Sequence, residues 1–562
     1  MHLATRRRAA AAIASALALL AVACSSGKST EPPPVDDRHG GTLRLAVVAS
    51  SVTTISGTAI DPTTVGPTDQ DAMVLVDLTS DGLTSVDPTT QLPVPALASS
   101  WSADAAGTSW TFTLRDDATF SDGSPVTAAD VASALERVAS RAGLSLAGAR
   151  LDVIAGYADF VGRSSPHLSG LVAKDDHTLV VTTSAPDVEV PLLLGSPLYG
   201  VVKVTSTSAD STSTSAANGG TDGAAATPEI TGSGPFMITS GNDPIITMPR
   251  SPGSTAQLEE VDAERFADSI AALSAVDTGM ADWASVPPAR QPQVAASPPS
   301  GIASGAFHLQ TSPLGAEVFF GMNLTSPTFA NPKFRQAIIL AVDRSALVAA
   351  SIPGLTANSA VVPAGVPGAV PDACREQCVY DTATAKAVLA QNFPDGAIPT
   401  VQIDTDDDPG SMKVASLVQL YLAAVGIPVE LKALPIADYQ RFVTTGQQQL
   451  FLTGWVGLAP SGAAYLDPLF RSGSLDNSTS FSSPDIDARL AQALANPDDA
   501  TRTSQYVGIE HSVLGEFPVL PLGSYSATVA VSSGVQEYQP RIDGTFVADS
   551  VWVGQGTTAS TG

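Results

Sequence analysis

Residues 110–137 read WTFTLRDDATFSDGSPVTAADVASALER. Trp110, Phe112 and Leu114 alternate with Thr111 and Thr113, and that period of two predicts a half-buried strand with an aromatic face. Ser121-Asp122-Gly123 then signals a turn, and Pro125 fixes the backbone just ahead of a helix. Thr127 is a good N-cap, with Asp130 three residues on, an acid near the positive end of the helix. Val131, Ala134, Leu135 and Val138 recur at helical spacing, while Glu136 and Arg137 face outward. The stretch predicts strand, turn and capped helix, a unit common enough to leave function open.

Outward from it, residues 40–47 predict an opening strand, 176–183 a strand and 191–194 the start of a buried segment. Residues 319–347 hold a strand ending at Asn323 and a helix opened by Pro332, with Phe334, Ile338, Ala341 and Val342 as its buried stripe. Arg335, Asp343 and Arg344 are expected to form structural ion pairs. Asp381 caps a helix, 401–404 is a strand, 412–425 an amphipathic helix closed by Gly426, and 429–431 the next strand. Asp406-Asp407-Asp408 lacks the alternate spacing and later Glu of a calcium loop and is expected to be solvated. Residues 449–453 form a strand followed by Gly454-Trp455-Val456-Gly457-Leu458, and 484–495 a helix. Strands alternating with helices throughout imply α/β lobes. Residues 205–227, rich in Ser, Thr, Ala, Gly and Asp, predict a mobile low-complexity loop.

At 562 residues the chain exceeds what one core usually organises, so two or more lobes are expected. Hydrophobic residues make up 44% and charged ones 15%, as in a globular protein. The formal net charge is −27, which argues against nucleic acid and against a polybasic membrane patch. Arg6-Arg7-Arg8 and the apolar run 9–23 mark residues 1–23 as a signal peptide; fifteen apolar residues are too few to span a bilayer comfortably. Its loss removes three arginines and no acid, leaving −30. Cys374 and Cys378 are then outside the cytoplasm, where a C-x-x-x-C pair is expected to be a small-loop disulfide; no His or further Cys lies nearby to complete a zinc set. The six His are scattered and neither G-x-S-x-G nor H-E-x-x-H occurs, so no enzyme, metal site or cofactor is expected.

The residue choices within 110–137 carry more than the pattern does. Trp110, Phe112, Leu114, Arg115, Phe120, Asp122, Gly123, Pro125, Thr127, Ala128, Asp130 and Val131 resemble the signature segment of the family 5 extracellular solute-binding proteins, with Asp117 standing where the family commonly has a small residue. GGTLRLA at 40–46, GSGPF at 232–236, GMAD at 279–282, the 323–347 segment and PVLPL at 518–522 resemble further words of that family. Residues 20–27, LAVACSSG, resemble a bacterial lipobox, with Ala21 in place of the usual Leu, so Cys24 is expected to be lipidated. Residues 24–39, with Pro32-Pro33-Pro34, read as a flexible linker to the membrane.

The resemblance implies a two-lobed periplasmic-binding-protein-like α/β fold of type II, of the large peptide-receptor type with an extra subdomain. Its lobes are discontinuous and joined by a hinge: lobe I 40–305 plus 515–562, holding a subdomain at about 59–184, and lobe II 306–514. It implies a lipid-anchored receptor of an ABC importer on the extracytoplasmic face of the cell membrane. That receptor is a monomer that captures peptide or a similar oligomeric solute between the lobes for permease subunits. The same fold also serves, as an alternative, a transport-inactive scaffold lipoprotein of the envelope, or a receptor for a metal chelate, haem or sugar. In the family's peptide receptors an acid after the "GW" word pairs with the ligand's amino terminus; here no acid follows Trp455 until Asp467, which aligns better with a later, structural position. Either the ammonium anchor lies elsewhere or the ligand has no free amine. Ligand contacts are expected from Ser50 and Ser51, after the first strand, and from Gly454, Trp455, Val456 and Gly457, with core packing the other role open to Trp455.

Overall fold

The computed structural model describes residues 40–51, 55, 57–141, 146–205, 228–241 and 244–554. The expected signal peptide, Cys24 with its linker, and the 205–227 loop beyond its first residue lie outside them. Among the described residues no helix is long and apolar enough to cross a membrane.

The 110–137 stretch folds as its pattern predicts. Strand Ser109–Leu114 buries Trp110, Phe112 and Leu114 and lies between Ala98–Ala103 and Thr178–Thr182 in a four-stranded antiparallel sheet completed by Leu171–Asp175. Thr127 and Asp130 form a reciprocal capping box: the Asp130 amide donates to Thr127 Oγ1 and the Thr127 amide to Asp130 Oδ2 at 2.9 Å. Helix Ala128–Ala139 then buries Val131, Ala134, Leu135 and Val138. Its outward charges are tied down at the edges, Arg137 by Asp61 at 2.6 Å and Glu136 by the Leu168 amide at 2.9 Å.

A second, ten-stranded sheet runs through the molecule in the order Ile245–Pro249, Glu260–Phe266, Thr42–Val48, Trp283–Val286, Val519–Ser532, Phe307–Met322, Leu450–Val456, Val401–Asp406, Val429–Leu434, with Leu355–Ala357 added beside Val519–Ser532. Thr42–Val48 is parallel to both neighbours, as are Val401–Asp406 and its own. The opening strand is pinned by Asp282, whose carboxylate accepts from Arg44 Nε and Nη2, each at 2.8 Å. That gives the acid of GMAD a structural task.

The two central strands are the longest. Phe307–Met322 pairs antiparallel with Val519–Ser532 from Phe307 opposite Ser532 to Gly321 opposite Val519. The outer end belongs to a core containing Val529, Val531, Leu43 and Trp283; the inner end belongs to one containing Phe320, Leu520, Leu522, Phe334 and Phe470. A further core, holding Phe112 and Phe120, sits under the four-stranded sheet. Between its ends the ladder breaks register, between Pro313 and Glu317 and again between Val318 and Phe319. Pro313 has no N–H to donate, and Gly315 gives its amide to Ile542 O instead, so the chain bulges there.

Three charged residues hold this frame differently from the expectation. Among the described residues Arg335 makes no ion pair: its guanidinium donates to the Phe329, Glu516 and Phe517 carbonyls at 2.6–3.2 Å. Arg344 donates to Pro521 O at 2.6 Å and Cys378 O at 3.4 Å, and Asp343 caps the helix Arg344–Ser351 through the Ala346 amide. Carbonyls at chain reversals need donors, and a buried guanidinium supplies several in one plane. Asp408, last of the acidic triplet, caps helix Pro409–Ala424. Cys374 and Cys378 are joined as a disulfide, with Cα atoms 5.6 Å apart.

Opposite the bulge, Gly523 has φ 156°, and a Cβ there meets the Thr356 carbonyl oxygen at 2.2 Å. Gly523→Ala is therefore expected to push Leu355–Ala357 off the return strand and to destabilise the protein by about 2 kcal/mol or more, read by urea unfolding. An unchanged midpoint contradicts the pairing.

Candidate ligand cleft

Strand Thr42–Val48 ends against the start of helix Gln70–Thr79, and the chain turns at Ser50 and Ser51, where the Ser51 amide returns to Val48 O at 3.0 Å. Asp69 caps that helix through the Ala72 amide at 3.2 Å; Asp268 caps helix Ser269–Asp277 through the Ile270 and Ala271 amides at 2.9 Å. Asp71 is 3% exposed and accepts from the Val48 amide at 2.8 Å. Burial pushes its carboxyl above the usual range, opposed by the Val48 amide and, more weakly, by Ser285 beside it. These groups, with Ser285, Leu314, Ala316 and Tyr525, line a recess of about 720 Å³ against the two central strands. It lies at the carboxyl end of a parallel strand, where open α/β sheets place ligands.

Strand Leu450–Val456 extends three residues past the expected Thr453, so Gly454, Trp455 and Val456 are strand residues, with Trp455 opposite Glu317 and Val456 opposite Ala316. The Trp455 indole N–H donates to Ala464 O at 2.8 Å, and its half-buried ring packs against the inner core. Trp455 and Gly454 also line a smaller recess of about 190 Å³ with Phe319, Phe451 and Leu475. Packing and lining thus coexist at Trp455. Gly457 gives its amide to Gly315 O at 3.0 Å, and a Cβ on it meets the Tyr465 ring at 2.5 Å. Ser50 and Ser51 come together in the larger recess, Gly454 and Trp455 in the smaller; Val456 and Gly457 line neither. A third recess, of about 1250 Å³, lies away from all six, beside Arg344, Asn358 and Cys378.

Sequence reading missed the acids of the larger recess. Asp69 and Asp268 are visible in hindsight as N-caps, but nothing local marks Asp71, whose burial depends on a strand 23 residues earlier. It also missed the contacts between the segment around 150–189 and the 461–506 region. Glu189 is buried and accepts from Ser461 Oγ at 2.7 Å, Arg502 Nε at 3.0 Å and the Tyr506 hydroxyl at 3.0 Å. Arg150 meets Asp476 at 3.2 Å and Arg471 meets Asp152 at 3.5 Å. Asp467, the first acid after Trp455, is held by Arg471 at 2.8 Å, a structural ion pair.

The family model for bacterial extracellular solute-binding proteins, family 5, matches residues 93–477. A glutathione-binding protein, GsiB of Shigella dysenteriae, is 31% identical over 225 residues, which are 38% of this chain and 43% of that protein; the match spans less than half the length of such relatives. Among solved structures, clavulanic acid biosynthesis oligopeptide binding protein 2 superposes with TM-score 0.73 at 21% identity over 92% of this chain and 96% of that one. Haemophilus influenzae OppA in complex with RPPGFSPFR superposes with TM-score 0.65 at 17% identity over 92% and 100%. The architecture is that of the lobed α/β binding proteins with a curled sheet. The chain belongs to the family 5 bacterial extracellular solute-binding proteins.

Glu510, buried beneath this region, accepts from the Val361 and Val362 amides at 2.8 and 3.0 Å, yet burial pushes its carboxyl up to about 7. Burial likewise carries Asp77 to about 6, with Asp543 and Asp549 adding to the rise, and Asp187 to about 7, with Glu189 and Asp467 adding. A raised acid holds in the folded state a proton that the unfolded chain releases, so its stabilisation is lost as pH climbs from the ordinary carboxylate range to the raised value. Stability is expected to fall between about pH 4 and about pH 7, and Glu510→Gln to flatten part of that fall, measured by urea unfolding across the range. Stability rising over that window contradicts the burial described.

Proposed function

We propose that this protein is the lipid-anchored receptor subunit of an ABC importer, taking peptides or a similar oligomeric solute from outside the membrane and handing them to permease subunits. The observation that carries the reading is the larger recess. It lies at the carboxyl end of the opening strand, its walls include Leu314 from the register break, and it is lined by both central strands. Lobe I is taken as 40–305 plus 515–562, with the subdomain at about 59–184, and lobe II as 306–514, so the break at 313–317 lies at the crossing between them. A bulged, proline-interrupted ladder is the segment best able to flex, and solute held between the lobes stabilises the closed form. Ser50 and Ser51 line this recess, and Gly454 and Trp455 line the smaller one beside Phe319.

Membership of family 5 supports a binding role rather than catalysis. Similarity to a glutathione-binding protein and to a protein solved with the peptide RPPGFSPFR supports peptide-like solutes. Cys24 lies outside the described residues; the resemblance of LAVACSSG to a lipobox supports its lipidation and a position on the outer face of the cell membrane. Small-angle scattering tests the reading: addition of a mixed short-peptide pool is expected to lower the radius of gyration. Trp455→Ala is expected to weaken retention of the bound solute by about tenfold through loss of an aromatic wall. A protein whose dimensions ignore every peptide in the pool contradicts the proposal.

A further inference from the structure

We propose that the recess beside Ser50 and Ser51 takes a primary ammonium group, with Asp71 as its counter-charge. The inference rests on the receptor reading above and adds which chemical group the cleft holds. Asp69, Asp71 and Asp268 reach the recess from two helix starts, and among the described residues no Lys or Arg lines it. Asp69 and Asp268 each commit an oxygen to helix amides. Asp71 differs. Its Oδ2 accepts from the Val48 amide, while its buried Oδ1 makes no hydrogen bond of good geometry among the described residues, the Ser285 side chain being the nearby polar group.

A carboxylate oxygen withdrawn from water without a donor is costly, and a cationic donor brought by a ligand removes that cost through a charge-assisted hydrogen bond. Burial already raises the Asp71 carboxyl, which shows how weakly its own surroundings support the charge. The hydroxyls of Ser50, Ser51, Ser285 and Ser526 line the same recess and offer neutral acceptors for the remaining N–H bonds. Single acceptors spread around a point suit a compact ammonium with three donors better than a planar guanidinium fork. On the other side, the first acid from Gly454 onward is Asp467, already paired with Arg471, and Glu317, opposite Trp455, lines neither recess.

An ammonium reaches the recess from an amino terminus or from a lysine side chain, and both are separable. The purified protein is mixed with three tetrapeptide libraries, and retention is read by native mass spectrometry. The first is lysine-free with free amino termini, the second is the same library N-acetylated, and the third is N-acetylated with one lysine. Acetylation is expected to lower retention of the lysine-free library by about tenfold or more. Asp71→Asn is expected to lower retention of the free-amine library to the acetylated level, with the unfolding temperature preserved. Retention of the third library assigns the ammonium to a side chain; its loss assigns the amino terminus. Should the variant fail to fold, the acetylation comparison on the wild-type protein decides. Equal retention of the free and acetylated lysine-free libraries overturns the inference and leaves the receptor standing, as does an Asp71→Asn protein that still discriminates between them. Retention of none of the three overturns the peptide reading and the inference together.

Discussion

The backbone ladder between Phe307–Met322 and Val519–Ser532 is the constraint on which the rest of this molecule depends. Each strand passes from one apolar core to another, so its two ends are anchored by different sets of buried side chains. Anchoring of that kind makes the ends rigid and leaves any compliance to the middle, where Pro313 cannot donate and Gly315 turns its amide aside. The recess with Ser50, Ser51 and Asp71 sits against this middle, touching Leu314 and Ala316 on one strand and Tyr525 to Ala527 on the other. A change in the angle between the strand ends is thereby a change in the shape of the recess.

Polar groups inside the frame are arranged to hold backbone rather than to react. Arg335 and Arg344 satisfy backbone carbonyls, Asn323 donates to Gly446 O and Gln448 O, and Glu510 receives two amides. Glu189, with Arg502, Tyr506 and Ser461 around one carboxylate, joins distant segments through a buried polar cluster in which each partner would be costly to leave alone. Asp71 keeps one buried oxygen without a partner, as Glu317 does with its Oε2, and of these two only Asp71 lines the recess.

Much of the frame was legible in the sequence because it is written locally. The alternation of Trp110, Phe112 and Leu114, and Thr127 three residues before Asp130, specify strand and capped helix through contacts a few residues apart, and the structure contains them. Membership of family 5 was readable in the same words. The site was less so. Strand Leu450–Val456 outran its expected end because its last residues pair with the distant 316–318 segment, which gives no local signal. The arginines read as ion pairs bind carbonyls more than 170 residues away. Asp71 is locally just an acid in the first turn of a helix, and only the folded proximity of Val48 buries it. Information about caps and faces is local; information about which acid lacks a partner belongs to the tertiary structure.

The central claim is that the recess against the paired strands holds a peptide-like solute. Native mass spectrometry of the protein as purified, followed by acid release of whatever is bound, addresses it most directly. The account predicts a one-to-one adduct that dissociates on acidification into a ladder of short peptides. A released sugar, haem or metal chelate contradicts the peptide assignment while keeping a receptor, and a protein that carries no adduct and acquires none from a peptide mixture contradicts the account itself.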